Sequence, residues 1–359
     1  MLDIKALLRE AVECGASDVH MCEAQPPIFR IHGKLVRKGG LPLAAQDLSA
    51  ICDQILPSQE KREEFQQQGE VDFSYSMPGL SRFRVNAYRQ RGTPALALRA
   101  IPHMIKSLKE LALPDVLTSF CDKPHGLVVV TGPTGSGKST TLAALIDLIN
   151  EGQDKHIVTL EDPIEFLHRH KRSVVNQREV GSDTESFAHG LRAALRQDPN
   201  VILVGEMRDL ETIRISLQAA ETGHLVFATL HTNDAASTID RIIDVFPPEQ
   251  QNQVRVQLGG TLQGVIAQRL FTRQDRPGRV VSLELLMVTP AVRNLIREGK
   301  THQILSTIQT GGKMGMRTMD ASVKELYDQG IISLEDYQLF SLEKAGSGQQ
   351  QPAPAGYVR

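Results

Sequence analysis

Apolar positions recur with helical spacing from the start of the chain. Ile4, Leu7, Leu8 and Val12 share one face and predict an amphipathic helix over 3–14. After the turn GAS, DVHMCE reads as a short strand, and IFRIHGKLVRKG alternates as a strand pair does. LPLAAQDLSAICDQILPSQEKREEFQQQG carries two further helical stretches. VDFSYSMPGLSRFRVNAYRQRG predicts two strands around a Pro-Gly turn. These elements make a small α+β domain over 1–98. A helix-like piece between Pro102 and Pro114 follows, and 99–113 is read as an interdomain linker.

The pattern then changes. LVVVTG (127–132), HIVTLED (156–162), VILVGE (201–206) and LVFATLH (225–231) are apolar runs separated by helical sequence. That alternation predicts a doubly wound α/β core with a mainly parallel sheet. QNQVRVQLGGTLQGVIAQRLF is expected as helix, RVVSLELLMV as strand, and short helices from Ala291 onward. This second domain is set at 114–345, ahead of a Gly, Gln, Ala and Pro-rich tail, 346–359, expected to be disordered.

Composition narrows the classes. The 359 residues suit two or three domains. Lys plus Arg is 40 against 42 for Asp plus Glu, a net charge of -2, so no nucleic-acid partner is expected. No apolar run is long enough to span a bilayer, and MLDIKALLREAVECGASDVH does not read as a signal peptide, so the expected location is cytoplasmic. The four cysteines are scattered without CxxC spacing, which fits reduced thiols better than a zinc site.

The strongest chemical signal is GPTGSGKST. Gly132, Pro133, Thr134, Gly135, Ser136, Gly137, Lys138, Ser139 and Thr140 lie between a predicted strand and a predicted helix, the context a phosphate-binding loop requires. Glycines let backbone amides curl around phosphate oxygens, and the helix start favours negative charge. Lys138 would reach the β- and γ-phosphates of ATP and Ser139 would ligate Mg2+. Acids follow two strands: Glu206 and Asp209 in VILVGEMRD, and Glu161, Asp162 and Glu165 in TLEDPIEF. Glu206 could bind magnesium through water or orient the attacking water. Arg82 and Arg84 share a strand face, and Arg192 and Arg196 are spaced for one helix face. In ETGHLVFATLHTND, His224 precedes a strand and His231 ends it. His224 could face a nucleotide or an interface, or merely be satisfied by hydrogen bonds; His231 stands where a γ-phosphate sensor would sit. Neither matches a zinc pattern with Asp234, Asp240 or Asp244.

TLEDPIEF resembles the aspartate box, GEMRD the divergent Walker B segment and ETGHLVFATLHTND the histidine box of the ATPases that drive type II secretion and type IV pili. GASDVHM is similar to their N-terminal signature. The likeness runs from Gly15 to about residue 335. AVRNLIREGK, Ala291 to Lys300, resembles the C-terminal motif of the retraction branch of that family. Extension and secretion members carry an extra N-terminal region and a four-cysteine module, both expected to be missing here.

The resemblance implies a RecA-like P-loop ATPase core, a smaller PAS-like N-terminal domain and helical C-terminal elements. It implies a homo-hexamer at the cytoplasmic face of the inner membrane that acts on the pilus through the membrane platform protein, with a paralogous retraction ATPase as an optional partner. It assigns Glu161 as catalytic base, Glu206 to magnesium or water, and Arg82 and Arg84 to a neighbouring nucleotide. His231 becomes part of the relay that reports ATP to the ring interface. The rival readings are an extension or secretion ATPase, a hexameric nucleic-acid translocase, and a nucleotide-dependent scaffold that does not hydrolyse.

Overall fold

Asp3 starts the first helix by accepting the amides of Lys5 and Ala6, and α1 (Ile4–Glu13) buries Ile4, Leu7 and Leu8 of the predicted face together with Ala11, while Val12 is half-buried. The computed structural model describes residues 3–31, 33–101 and 104–347, which divide into two compact units. The first comprises Met1–Met104 with Glu165–Leu167, and the second the remainder.

In the first unit α1 leads to β1 (Ala16–Met21), β2 (Ile28–Ile31) and β3 (Lys34–Arg37), then α2 (Ala45–Ile55) and α3 (Gln59–Gln68). β4 (Glu70–Met77), β5 (Ser81–Gln90) and β6 (Thr93–Ile101) complete it. The strands form one antiparallel sheet in the order β3-β2-β1-β6-β5-β4. Leu8, Phe29, Leu48, Ile51, Phe83 and Val85 are fully buried within it. β6 carries the sheet to Ile101, past residue 98. The helix expected before Pro114 is instead a single turn, in which Leu111 donates to Ser107 and Leu113 to Leu108. Ala112 closes it with φ 54°, and a residue ahead of proline is driven to extended backbone, so no second turn can form.

The second unit begins with the short α4 (Thr118–Cys121), then β7 (Gly126–Thr131), α5 (Lys138–Gly152), β8 (His156–Glu161) and β9 (Val174–Glu179). α6 (Phe187–Ala194), β10 (Val201–Val204), α7 (Leu210–Glu221), β11 (Leu225–Leu230), α8 (Ala235–Asp244) and α9 (Pro248–Thr261) follow. β12 (Leu262–Thr272), β13 (Arg279–Met287), α10 (Pro290–Arg297), α11 (Ile304–Thr310), α12 (Met319–Asp328) and α13 (Leu334–Ser347) end the described chain. Of the tail expected at 346–359, residues 346 and 347 close α13 and the rest lies outside the described residues.

The sheet order is β13-β12-β7-β11-β10-β8-β9, parallel except where β13 turns back on β12. β7 shows why its sequence is continuously apolar. Leu127 and Val129 pack into the layer that holds Ile213 of α7, Ile239 of α8 and Val292 of α10. Val128 and Val130 pack the other way, with Phe120 of α4 and Leu142, Leu145 and Ile149 of α5. Both faces are covered, so no polar alternation survives.

The stretch expected as one helix to Phe271 breaks at Thr261, and the chain continues as β12 beside β7. A strand buried on both sides has the composition of a buried helix, which is why periodicity misreads it. Gly264 is the close-approach point in that strand. A Cβ there would lie 2.3 Å from the Phe120 ring and 2.9 Å from the Leu286 carbonyl. Gly264→Ala is therefore expected to destabilise the fold by about 1–3 kcal/mol, the cost of overpacking, read as a lowered denaturant midpoint with unchanged m.

Candidate nucleotide site

The turns after β7, β8, β10 and β11 all leave the same edge of the parallel sheet. This is where ligands bind in open α/β folds. Gly132 opens the loop after β7 with φ 141°, and a Cβ there would sit 2.3 Å from the Gln268 carbonyl and 2.7 Å from Ser136 Oγ. Gly137, at φ 92°, is the N-cap of α5, so the loop curls directly into a helix N-terminus. Pro133, Thr134, Gly135 and Ser139 are exposed, Thr140 is half-buried, and Ser136 is buried with no hydrogen-bond partner for its Oγ.

Lys138 is buried, and its ammonium donates to the carbonyls of Gly132 at 2.8 Å and Pro133 at 3.1 Å. Burial pushes its pKa below the usual lysine value, and Glu206 acts in the opposite direction. Nζ also stands 3.5 Å from His231 Nδ1. The far side of that ring, Nε2, lies 3.2 Å from Glu206 Oε1. Arg208 Nε then donates to Glu206 Oε2 at 2.7 Å. With its proton on Nε2, His231 donates to Glu206 and turns its Nδ1 lone pair toward Lys138, so one tautomer serves both contacts. The row Lys138–His231–Glu206–Arg208 follows from strand order, since β11 lies between β7 and β10.

Glu161 ends β8, on the far side of β10. Three strand spacings, about 14 Å, separate β8 from β7. The Glu161 carboxylate is buried, and its Oε1 accepts both the Thr159 hydroxyl at 2.6 Å and the Gln177 amide at 3.0 Å. Gln177 also accepts the His168 amide at 2.8 Å, which fixes its orientation and ties Glu161 to the loop that follows. Glu179 accepts the Ile164 amide at 3.0 Å and is buried. Neither Gln177 nor Glu179 was singled out from sequence, because β9 itself was not recognised.

Other candidates fall elsewhere. Asp209 accepts the amide and hydroxyl of Thr212 and caps α7, while Asp162 and Glu165 are exposed. Asp234 likewise caps α8 through the Ser237 amide. His224 immediately precedes β11 and so lies toward the sheet edge opposite the phosphate loop, with Nδ1 3.0 Å from the Ala219 carbonyl. It therefore does not face the phosphate loop of its own chain. α6 ends at Ala194, so Arg196 is not on one helix face with Arg192, whose guanidinium pairs with Glu211. In α10, Val292 and Ile296 are core, yet Arg293 does not point outward; it caps the end of α9 by donating to the carbonyls of Gly259 at 2.8 Å and Gly260 at 2.6 Å.

In the first unit Phe83 and Val85 face the core, which leaves half-buried Arg82 and exposed Arg84 on the opposite face of β5. Arg84 pairs in register with Arg99, Arg99 with Asp18, and Asp18 with Arg30. Asp18 accepts from Arg99 at 2.9 Å and lies 3.7 Å from Arg30. Burial raises its pKa, but the Ser17 hydroxyl and Arg99 outweigh that and hold the carboxyl below its usual range. Arg99 thus extends the arginine row, a residue the strand-pair reading could not supply.

The family model described as Type II/IV secretion system protein matches residues 1–339. The chain belongs to that family. It is 50% identical over 335 residues to the "Type IV pilus retractation ATPase PilT" of Pseudomonas aeruginosa, covering 93% of this chain and 97% of that one. It is 51% identical over 309 residues to the "Twitching motility protein" of Neisseria gonorrhoeae, covering 86% and 82%. The solved structure of the pilus retraction motor PilT with bound ADP superposes with a TM-score of 0.86 at 50% identity, over 94% of this chain and 96% of that one. This member of the type II/IV secretion family therefore has a RecA-like α/β ATPase fold and is an ATP-hydrolysing enzyme. Family membership implies use of ATP and Mg2+. The glycine cradle, the unpartnered Ser136 hydroxyl and the Lys138 ammonium suit a magnesium-bound triphosphate. Among the described residues no helix is long and apolar enough to cross a membrane.

Proposed function

We propose that the chain is the motor of type IV pilus retraction, working as a homo-hexamer at the cytoplasmic face of the inner membrane and pulling on the pilus through the membrane platform protein. The observation that carries this is near-complete alignment at half identity with a pilus retraction ATPase. The N-terminal region is read as a PAS-like domain, 1–98, joined through 99–113 to the ATPase domain, 114–345, with its C-terminal helices.

At the site, the loop Gly132–Thr140 holds the phosphates through the backbone N–H groups it has, Pro133 supplying none, and Lys138 contacts the β- and γ-phosphates. Ser139 and, through water, Glu206 would hold the magnesium. Magnesium, when bound there, would offset the charge of the phosphates. Glu161 takes the proton of the attacking water. His231, between Lys138 and Glu206, changes partners when a γ-phosphate draws Lys138 away from the loop carbonyls. Arg82 and Arg84 reach the nucleotide of a neighbouring protomer.

Deleting the gene tests the direction of the motor. Loss of twitching with accumulated surface pili is expected, and Glu206→Ala should fail to complement. Loss of the pili themselves would instead make this an extension ATPase.

A further inference from the structure

Glu284 of β13 is a buried carboxylate far along the sheet from the strands that carry the acidic site residues. Its Oε1 accepts the Ala235 amide at 2.9 Å, and its Oε2 lies 3.5 Å from the Met319 amide. Ala235 begins α8 and Met319 begins α12, so one carboxyl group stands at two helix N-termini, where helix dipoles favour its charged form. Burial pushes its pKa up, and the two amides oppose that rise.

α8 is in turn wired to the phosphate loop. Thr238, in its first turns, lies 2.6 Å from Thr232 through their hydroxyls. Thr131, the last residue of β7, donates its hydroxyl to the Thr232 carbonyl at 2.7 Å and accepts the Thr232 amide at 2.9 Å. His231 immediately precedes Thr232. The other end of this loop, Asn233 and Asp234, borders a cavity of about 490 Å³ that Glu284 also lines. Beside that cavity the Glu284 hydrogen bond helps to hold the start of α8, together with burial of Ala235 and the Thr232–Thr238 contact.

We infer that Glu284 is a positioning residue, which fixes the first turn of α8 and, through Thr238 and Thr232, sets where His231 stands between Lys138 and Glu206. The inference rests on the reading of His231 as part of the nucleotide machinery. It makes β13 and α12, well away from the phosphate loop in sequence, part of the support of the site.

The test compares Glu284→Ala and Glu284→Gln with Ser322→Ala in the full-length protein. Ser322 accepts the Leu283 amide at 3.1 Å across the same β13–α12 contact, and among the described residues no hydrogen bond joins its side chain to α8, so it serves as the control for stability. Glu284→Ala is expected to lower kcat about tenfold or more with KM for ATP within about twofold, as misplacement of a distant support does. Glu284→Gln, whose carbonyl can still accept from Ala235, should recover most of that loss. Ser322→Ala should keep wild-type kcat even where its Tm falls as far. Combined with His231→Ala, Glu284→Ala should cost nothing more, because both act through one group.

Wild-type kcat in Glu284→Ala, or an equal kcat loss in Ser322→Ala, overturns the inference. So does multiplication of the two losses in the double variant. Wild-type turnover in His231→Ala overturns the underlying reading of the loop instead, and the inference falls with it.

Discussion

Lys138→Ala is expected to reduce ATP turnover by on the order of 10³-fold, the loss that follows removal of one preorganised charge from a transition state. The ammonium is already inside the loop, held by the Gly132 and Pro133 carbonyls and close to His231. It needs only to exchange those oxygens for phosphate oxygens, with little reorganisation. Burial, which lowers its pKa, strengthens its pull on a phosphate by the same loss of water. Folding should survive, because Pro133 lies at the exposed rim of the loop where water can replace the lost donor. Lys138→Arg should not rescue, since a planar guanidinium cannot occupy a cradle shaped around a single ammonium. Phosphate release measures turnover, and circular dichroism with thermal melting checks the fold. Wild-type-like turnover in a folded Lys138→Ala protein would remove the nucleotide from this loop.

The same loop shows what a sequence can carry. Gly132–Thr140 is contiguous, so its residues and their strand–helix setting are read together. β7, β8, β10 and β11 are legible because burial on both faces leaves apolar runs bounded by turns and helices. β12 follows α9 directly: Gly259 and Gly260 lie inside the helix, and Gln263, Gly264 and Gln268 interrupt the apolar run of the strand, so the change from helix to strand is not marked at its boundary.

The row through Lys138, His231 and Glu206 belongs to a different level. It depends on β11 being inserted between β7 and β10, and strand order is a property of packing that no short stretch encodes. His224 shows the converse. Once β11 is known to run parallel to β7, a residue at its start must lie at the edge away from the phosphate loop. Arg293 is charged, yet it does not simply face solvent. The open carbonyls at the end of α9 recruit it instead, as helix C-termini recruit cations.

The proposed division of labour between the two glutamates predicts distinct failures. Glu161→Gln keeps volume and a carbonyl that can still accept from Thr159 and Gln177, so the surroundings stay satisfied while the base is lost. Its kcat should fall about 10²–10⁴-fold, the usual worth of general base catalysis, with ATP still bound. No amount of magnesium should restore it. Glu206→Gln loses the charge that pairs with Arg208 and His231, and with it the anion that draws the metal. Turnover should again fall about 10²–10³-fold, but the loss should lessen as magnesium is raised, because what failed is occupancy of the metal site. Single-turnover phosphate release at saturating ATP across a magnesium titration separates the two. Magnesium rescue of Glu161→Gln, with none for Glu206→Gln, would exchange the roles. That exchange is physically open, because Glu206 is the carboxylate nearer Lys138 in strand order and Glu161 stands one strand further out. The titration therefore decides whether attack on the γ-phosphate is driven from β8, with β10 holding the metal, or from β10 itself.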